Sequence, residues 1–367
     1  MSTSLPTLSE LTEYPVIQAP MAGGVSRPEL AAAVSEAGGL GFLAGGYKTP
    51  DAMYKEIRQL RRLTRRGFGV NLFMPQPSTA DPAAVEVYRE QLAGEVTWYE
   101  TELGDTEGGT DDAYEGKLAI LYEDPVPVVS FQFGCPSRRV LERFEKVGTY
   151  TMVTATTVAE AQTAQWAGAH AVCLQGIEAG GHQGTHRDDP QADASVGGIG
   201  LLSLVTQVKE SVQLPIVASG GLMRGGQIAA VLAAGASAAQ LGTAFLVTTE
   251  SGANPLHKQA MTNPLFTRTE LTRAFSGRPA RGLVNRFMRE HGPYAPAAYP
   301  QIHYLTAGLR KAAAKAGDPQ AMALWAGQGH RLARELPAAQ LVEVLAAELS
   351  VAREGMSPRG GAEGGRE

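Results

Sequence analysis

Cysteine is scarce: Cys135 and Cys173 are the two in 367 residues, too few for a disulfide framework or a cysteine-rich metal cluster. Cys173 stands inside an apolar run and reads as packing. Basic runs are nearly absent. The exception, residues 58–66 (Arg-Gln-Leu-Arg-Arg-Leu-Thr-Arg-Arg), ends a predicted helix, where cations complement the helix dipole and form a solvated face. A net charge of -5 and a sequence pI near 5.9 give no basic surface for nucleic acid. No stretch approaches the ~20 apolar residues of a membrane span, and residues 1–13 are too polar for a secretory leader. No Gly-x-Gly-x-x-Gly has both a strand before it and a helix after it, so no dedicated dinucleotide domain is expected. What remains is a soluble, cytoplasmic, globular chain. With 44% hydrophobic residues it can bury a large core.

Eight short apolar runs recur along the first 250 residues, at 15–20, 40–44, 68–73, 126–133, 150–156, 171–174, 214–219 and 238–246. Helical stretches lie between them. Ser26 is the expected N-cap of the first, with Pro28 in its first turn; Thr49 or Asp51 caps the second and Thr157 the helix 158–167. The runs are continuously apolar rather than alternating, as parallel strands buried on both faces are. Eight such units fit a (β/α)8 TIM barrel of about 250 residues; a doubly wound open sheet is the alternative. Residues 81–122 interrupt the rhythm, and from about 260 the strand pattern is lost in favour of helical or irregular chain. The barrel is therefore assigned to 12–80 and 123–258. A second, mainly helical domain capping its mouth is assigned to 81–122 and 259–355, and a disordered tail to 356–367.

The stretch Gln175-Gly176-Ile177-Glu178-Ala179-Gly180-Gly181-His182-Gln183-Gly184 directly follows the sixth run. Glycine lets backbone approach a flat or phosphorylated ligand, and histidine suits proton transfer near neutrality. Gly180, Gly181 and Gly184 are read as clearing space for such a ligand beside His182. Other strand ends fall on the same barrel face, where such enzymes keep their sites. They are Ala19-Pro20-Met21-Ala22-Gly23, Asn71, Gln132, Gln175, Ser219-Gly220-Gly221 and Gln240-Leu241-Gly242-Thr243. Backbone N–H groups after the last two strands suit a phosphate. The amides of Asn71, Gln132, Gln175 and Gln240 suit a polar ligand edge or equally cap strand ends. His186, beside Arg187-Asp188-Asp189, reads as exposed.

Gln18-Ala19-Pro20-Met21-Ala22-Gly23-Gly24, Gly69-Val70-Asn71-Leu72-Phe73, Phe131-Gln132-Phe133-Gly134, residues 175–184, Ala218-Ser219-Gly220-Gly221 and Gln240-Leu241-Gly242-Thr243 together resemble the nitronate monooxygenase family over roughly residues 12–330. Flavin-dependent enoyl-acyl-carrier-protein reductases and NADH:quinone reductases share the Glu-Ala-Gly-Gly-His motif and the late glycine turns. Tyr299-Pro300-Gln301-Ile302-His303-Tyr304-Leu305-Thr306 and Leu324-Trp325-Ala326-Gly327-Gln328-Gly329 look like the additional segment of class I nitronate monooxygenases. One departure is Gln132, where the family commonly has histidine.

The resemblance implies non-covalent FMN, with its phosphate on Gly221, Gly242 and Thr243, and a small alkyl nitronate such as propionate 3-nitronate. The nitronate is oxidised with O2 to a carbonyl compound and nitrite. His182 then hydrogen-bonds the anionic nitro group, deprotonates a neutral nitroalkane, or merely orients its own loop. Tyr299, His303 and Tyr304 either close over the substrate or pack between domains. An NADH-dependent reductase on the same barrel is the competing activity, and a non-catalytic flavin-binding protein the competing class. No metal, nucleic-acid or membrane partner is expected; a homodimer is compatible with the sequence.

Overall fold

The computed structural model describes residues 6–75, 80–106, 109, 111–189 and 197–356. Eight parallel strands make the central sheet: β1 (Val16–Gln18), β2 (Gly41–Ala44), β3 (Phe68–Phe73), β4 (Val128–Gln132), β5 (Tyr150–Ala155), β6 (Ala171–Gln175), β8 (Ile216–Ser219) and β9 (Ala238–Leu241). Their order is β1-β9-β8-β6-β5-β4-β3-β2, and an Ile17–Leu40 bridge joins the two ends into a barrel. At that seam the Gln18 side chain spans the gap. Its Oε1 accepts from the Phe42 N–H at 2.9 Å, and its Nε2 donates to Ser26 Oγ at 3.0 Å. The expected (β/α)8 fold is thus the observed one.

Residues two apart on a strand face the same side, and the two faces of these strands differ. Val16, Leu43, Val70, Val129, Val153, Val172 and Ile216 pack outward under the helices. Ile17, Phe42, Val128, Tyr150, Ala171, Val217 and Ala238 fill the lower barrel in a separate cluster, with Leu8 at its base. Gly69 is required there, because a Cβ would lie 2.2 Å from the Phe42 ring. Two or four residues further along the same inward face the chain turns polar: Asn71, Ser130, Gln132, Thr154, Gln175, Ser219 and Gln240. The barrel is therefore packed below and hydrogen-bonding above.

Caps behave largely as the sequence predicts. Thr49 accepts from Ala52 N, and Thr157 from Glu160 N, each at 3.2 Å. Ser26 does not cap. The N-cap is Arg27, and Ser26 Oγ instead accepts from Met21 N at 2.9 Å, which closes the loop 19–26. The run expected as strand through residue 246 stops at Leu241; after Gly242 the chain coils into a short helix, Thr243–Leu246.

The larger difference lies past residue 260. β10 (Thr269–Thr272) and β11 (Ala280–Leu283) form an antiparallel sheet with β7 (Gly181–His182), placing Ala280 opposite His182. A second apolar cluster joins Val85, Tyr88 and Leu92 to Phe275, Phe287, Leu305, Leu309 and Leu324. Glu95 adds a polar tie, accepting from Arg286 Nη2 at 2.8 Å and from His291 Nε2 at 3.1 Å. Two stretches given by sequence to the capping domain pack elsewhere. Helix Tyr114–Glu123 lies on β3 and on helix Pro50–Leu63, and helix Ala338–Met356 on Gly225–Ala233 and Pro28–Glu36. Their apolar faces (Leu118, Leu121; Leu341, Val342, Leu345) complete the outer shell of the barrel. Residue 356 closes that last helix, and the rest of the expected tail, 357–367, lies outside the described residues. Among the described residues no helix is long and apolar enough to cross a membrane.

Candidate functional site

A cavity of about 350 Å³ opens at the carboxyl ends of the barrel strands. Every residue proposed from sequence as cofactor-binding lines it, from Ala19–Gly23 through Asn71, Gln132, Gln175, Gly180, Gly181 and Ser219 to Thr243, and so do His182 and His303. Tyr299 and Tyr304 do not. They border a small neighbouring pocket with Tyr47, Phe73 and Phe133. Tyr299 still touches the site, its ring 5.6 Å from that of His182 and its hydroxyl 3.1 Å from Tyr47 Oη. Tyr304 instead donates to Gly109 O at 3.3 Å and belongs to the adjoining loop.

The glycine-histidine loop is held from several sides. Gln175 spends its amide on it, donating to His182 O at 3.1 Å and accepting from Gly184 N at 2.7 Å. Glu178 turns away and caps helix Leu201–Lys209, accepting from Leu201 N at 3.0 Å. Arg278 reaches in from beside β11, donating to Gln183 O at 3.2 Å and to both Thr185 oxygens, while its guanidinium lies 4.2 Å from the Phe133 ring centre. The loop glycines do not all clear space for a ligand. At Gly180 a Cβ would meet Gly327 N at 2.5 Å, and at Gly184 it would meet Gln132 Nε2 at 2.6 Å. These two permit close chain packing. Gly181, with φ of +74° and nothing within 4 Å of its would-be Cβ, is the open one.

His182 presents its ring to the cavity beside Phe133, Tyr299 and Trp325. Its Nε2 lies 2.9 Å from Ser276 Oγ, which is also 3.2 Å from Arg278 O. Removal from water, and then the positive charges of Arg278 and Arg310, push its pKa down to about 3. The imidazole is neutral at any working pH. His257, which lines the cavity with Nε2 3.0 Å from Trp325 O, is lowered to about 4 by burial. His303 is lowered to about 2 by burial, Arg310 and His182. Its ring stacks on Tyr47, centroids 4.1 Å apart and 4° from parallel. Tyr47 and Phe133 hold φ of 63° and 70°, a left-handed strain that non-glycine residues keep at sites where the surroundings impose it.

At the last two strands the structure leaves hydrogen-bonding capacity unspent. Gln240 Nε2 reaches Cys173 Sγ and Ser219 Oγ, but its Oε1 is buried without a partner. The N–H groups of Gly221, Gly242 and Thr243 have no protein acceptor among the described residues. A buried orphan acceptor costs 1–3 kcal/mol unless a ligand donates to it. Sequence reasoning missed Tyr47, Phe133, Ser276, Arg278 and Arg310. None lies in a strand-end motif except Phe133, and there the glutamine before it drew attention.

A parallel eight-stranded barrel, with an enclosed histidine-bearing cavity where its strands end, defines an enzyme that handles a small molecule away from bulk water. The chain belongs to the nitronate monooxygenase family, whose profile matches residues 6–348. It is therefore an oxidoreductase, a monooxygenase of a flavin-dependent family. A nitronate monooxygenase of Pseudomonas aeruginosa is 42% identical over 349 residues, covering 92% of this chain and 96% of that one. A solved nitroalkane oxidase from Streptomyces ansochromogenes is 69% identical with a TM-score of 0.93, covering 95% and 99%. FabK from Thermotoga maritima stands further off, at 28% identity and a TM-score of 0.71 over 95% and 97%.

Proposed function

We propose that this chain is an FMN-dependent enzyme that oxidises small alkyl nitronates, propionate 3-nitronate among them, with O2 to a carbonyl compound and nitrite. The observation that carries the reading is the placement of the His182 imidazole, set into the cavity with Nε2 2.9 Å from Ser276 Oγ and the rings of Phe133, Tyr299 and Trp325 around it. The residues present suit FMN. Gly221, Gly242 and Thr243 offer free N–H groups to one phosphate, and Gln240 Oε1 awaits an N–H donor such as the polar edge of the ring. Ala19–Gly23 supply backbone along the cavity wall. FMN, when bound, supplies the redox chemistry between nitronate and O2. From the later part of the chain His303, Arg310, Met322, Ala323 and Trp325 line the same cavity, which supports a cap over the barrel mouth.

The protein's own contribution centres on Ser276. When its hydroxyl donates to His182 Nε2, the ring hydrogen sits on Nδ1, the nitrogen without a partner among the described residues. Nδ1–H then donates to an anionic nitro oxygen. When the hydroxyl turns to Arg278 O, Nε2–H donates to Ser276 and Nδ1 becomes a lone pair. That tautomer accepts a proton from the α-carbon of a neutral nitroalkane. The nitroalkane oxidase likeness favours this second use. A base whose conjugate acid has a pKa of about 3 is weak, so the nitronate, already deprotonated, is the better substrate. Phe133, Tyr299 and Trp325 around the ring keep water from the reacting carbon.

The deciding experiment mixes the purified protein anaerobically with propionate 3-nitronate and, separately, with NADH. Rapid bleaching of the flavin by the nitronate alone is expected. Bleaching by NADH with none by the nitronate would replace this reading with a reductase.

A further inference from the structure

Among the described residues Arg310 is the single permanently charged side chain lining the cavity; no described Asp, Glu or Lys lines it. It sits in helix Ala307–Lys315, where Nε donates to Thr306 Oγ1 at 3.1 Å and Nη2 to His303 O at 2.7 Å. Thr306 is itself pinned through Oγ1 to Phe275 O at 2.7 Å. The fork is thereby held in one orientation, and Nη1 has no acceptor among the described residues. Among the described residues Arg310 makes no ion pair. Two buried cations do find anions, Lys117 bonding Asp112 at 2.6 Å and Arg273 bonding Asp188 at 2.6 and 2.9 Å, while buried Arg281 is satisfied by Ile177 O and Thr269 O. A guanidinium withdrawn from water without a counter-charge is costly. Its remaining donors match planar oxyanions, which accept two parallel N–H bonds.

Resting on the nitronate reading, we propose that Arg310 is a specificity-determining residue that binds the substrate's planar oxyanion. That group is the nitronate NO2 itself or a carboxylate at the far end of the same molecule. Both are flat, three-atom anions with two oxygens in reach of one guanidinium edge. Arg310 then favours anions over neutral molecules of the same shape and fixes the end from which the substrate enters. Thr306 and His303 act through Arg310, as positioning residues.

The test compares wild type, Arg310→Lys and Arg310→Met, with bound flavin and far-UV circular dichroism as folding controls. Two nitronates are assayed, that of nitroethane with one anionic group and that of 3-nitropropionate with two. Nitrate, a flat oxyanion that does not react, is titrated by calorimetry as a readout independent of turnover. Arg310→Met should lose roughly 10- to 100-fold in nitrate affinity and in kcat/KM through KM, and Arg310→Lys should recover part of it. Loss on both nitronates identifies the NO2 group; loss on the 3-nitropropionate form alone identifies the carboxylate. Unchanged KM for both substrates together with unchanged nitrate affinity in Arg310→Met overturns the proposal. A wild type that binds nitrate through Arg310 yet oxidises neither nitronate would sink the functional reading and leave the oxyanion subsite standing.

Discussion

Mild acid should destabilise the ligand-free protein through histidines of its own cavity. His182, His257 and His303 are held at about 3, 4 and 2 in the fold, against roughly 6.5 in an unfolded chain. With folded values depressed, the unfolded state binds more protons, so stability is complete above about pH 6.5 and falls as pH drops toward 3. At pH 5 each histidine costs about 2 kcal/mol by this linkage, together roughly 6 kcal/mol. Domains have only about 5–15 kcal/mol to lose. For a chain of this length the drop corresponds to a Tm lower by on the order of 10 °C. The assay is thermal melting of flavin-free protein at pH 7.5 and 5.0 at matched ionic strength, on wild type and His257→Gln. Glutamine keeps a donor for Trp325 O but does not titrate, so the variant should recover about a third of the loss. Equal melting temperatures at the two pH values, or a His257→Gln slope identical to wild type, would refute the reasoning.

Other outcomes follow from the same geometry. Gly242→Asp should abolish FMN retention, because it sets a carboxylate beside the proposed phosphate donors. Gly242→Ala should retain FMN, since a Cβ there meets only Ala19 Cβ at 3.4 Å and Met21 Sδ at 3.8 Å. Normal flavin content in Gly242→Asp counts against the phosphate position. His182→Asn should lower neutral nitroalkane oxidation by about 10²–10⁴-fold, as loss of a general base does. The same change should slow nitronate oxidation by no more than one hydrogen bond, about 1–3 kcal/mol; equal losses on both would remove the base role. Because His182 stays neutral, wild-type kcat/KM for nitronate should show no limb near pH 6.5, and a clear one in steady-state profiles would assign the imidazolium to catalysis.

The barrel was legible because its strands are buried on both faces, and continuous apolar runs ending in glycine leave few alternatives. The sheet of β7, β10 and β11 was not. Thr269–Thr272 reads Thr-Glu-Leu-Thr, and its partner beyond β11 is two residues long. Its existence depends on hydrogen bonds across about a hundred residues, which leave no local period. The same distance hid Arg278, in the bend before β11, and Arg310, in helix Ala307–Lys315, since a lone charge in a turn or helix reads as solvent-facing until the fold closes over it. The glycines were half read: their number marked the loop, but only neighbours from 326–327 and Gln132 distinguish close chain packing from ligand space. The run 238–246 shows the limit from the other side, for apolar character alone cannot say where strand gives way to helix.

The antiparallel pairing of Ala280 with His182 bears on how this enzyme can be taken apart. A gene fragment ending near residue 258 would encode every barrel strand, yet it would omit the strand that braces the histidine, its Ser276 partner and the Arg278 clamp on its loop. Such a fragment is not a minimal enzyme awaiting a lid. Exchanging residues 263–326 with those of a relative would replace the substrate-facing wall and retune the imidazole in one cut. Substrate range and proton handling are inherited together here, and a designer who wants to vary one must work by point substitution rather than by splicing.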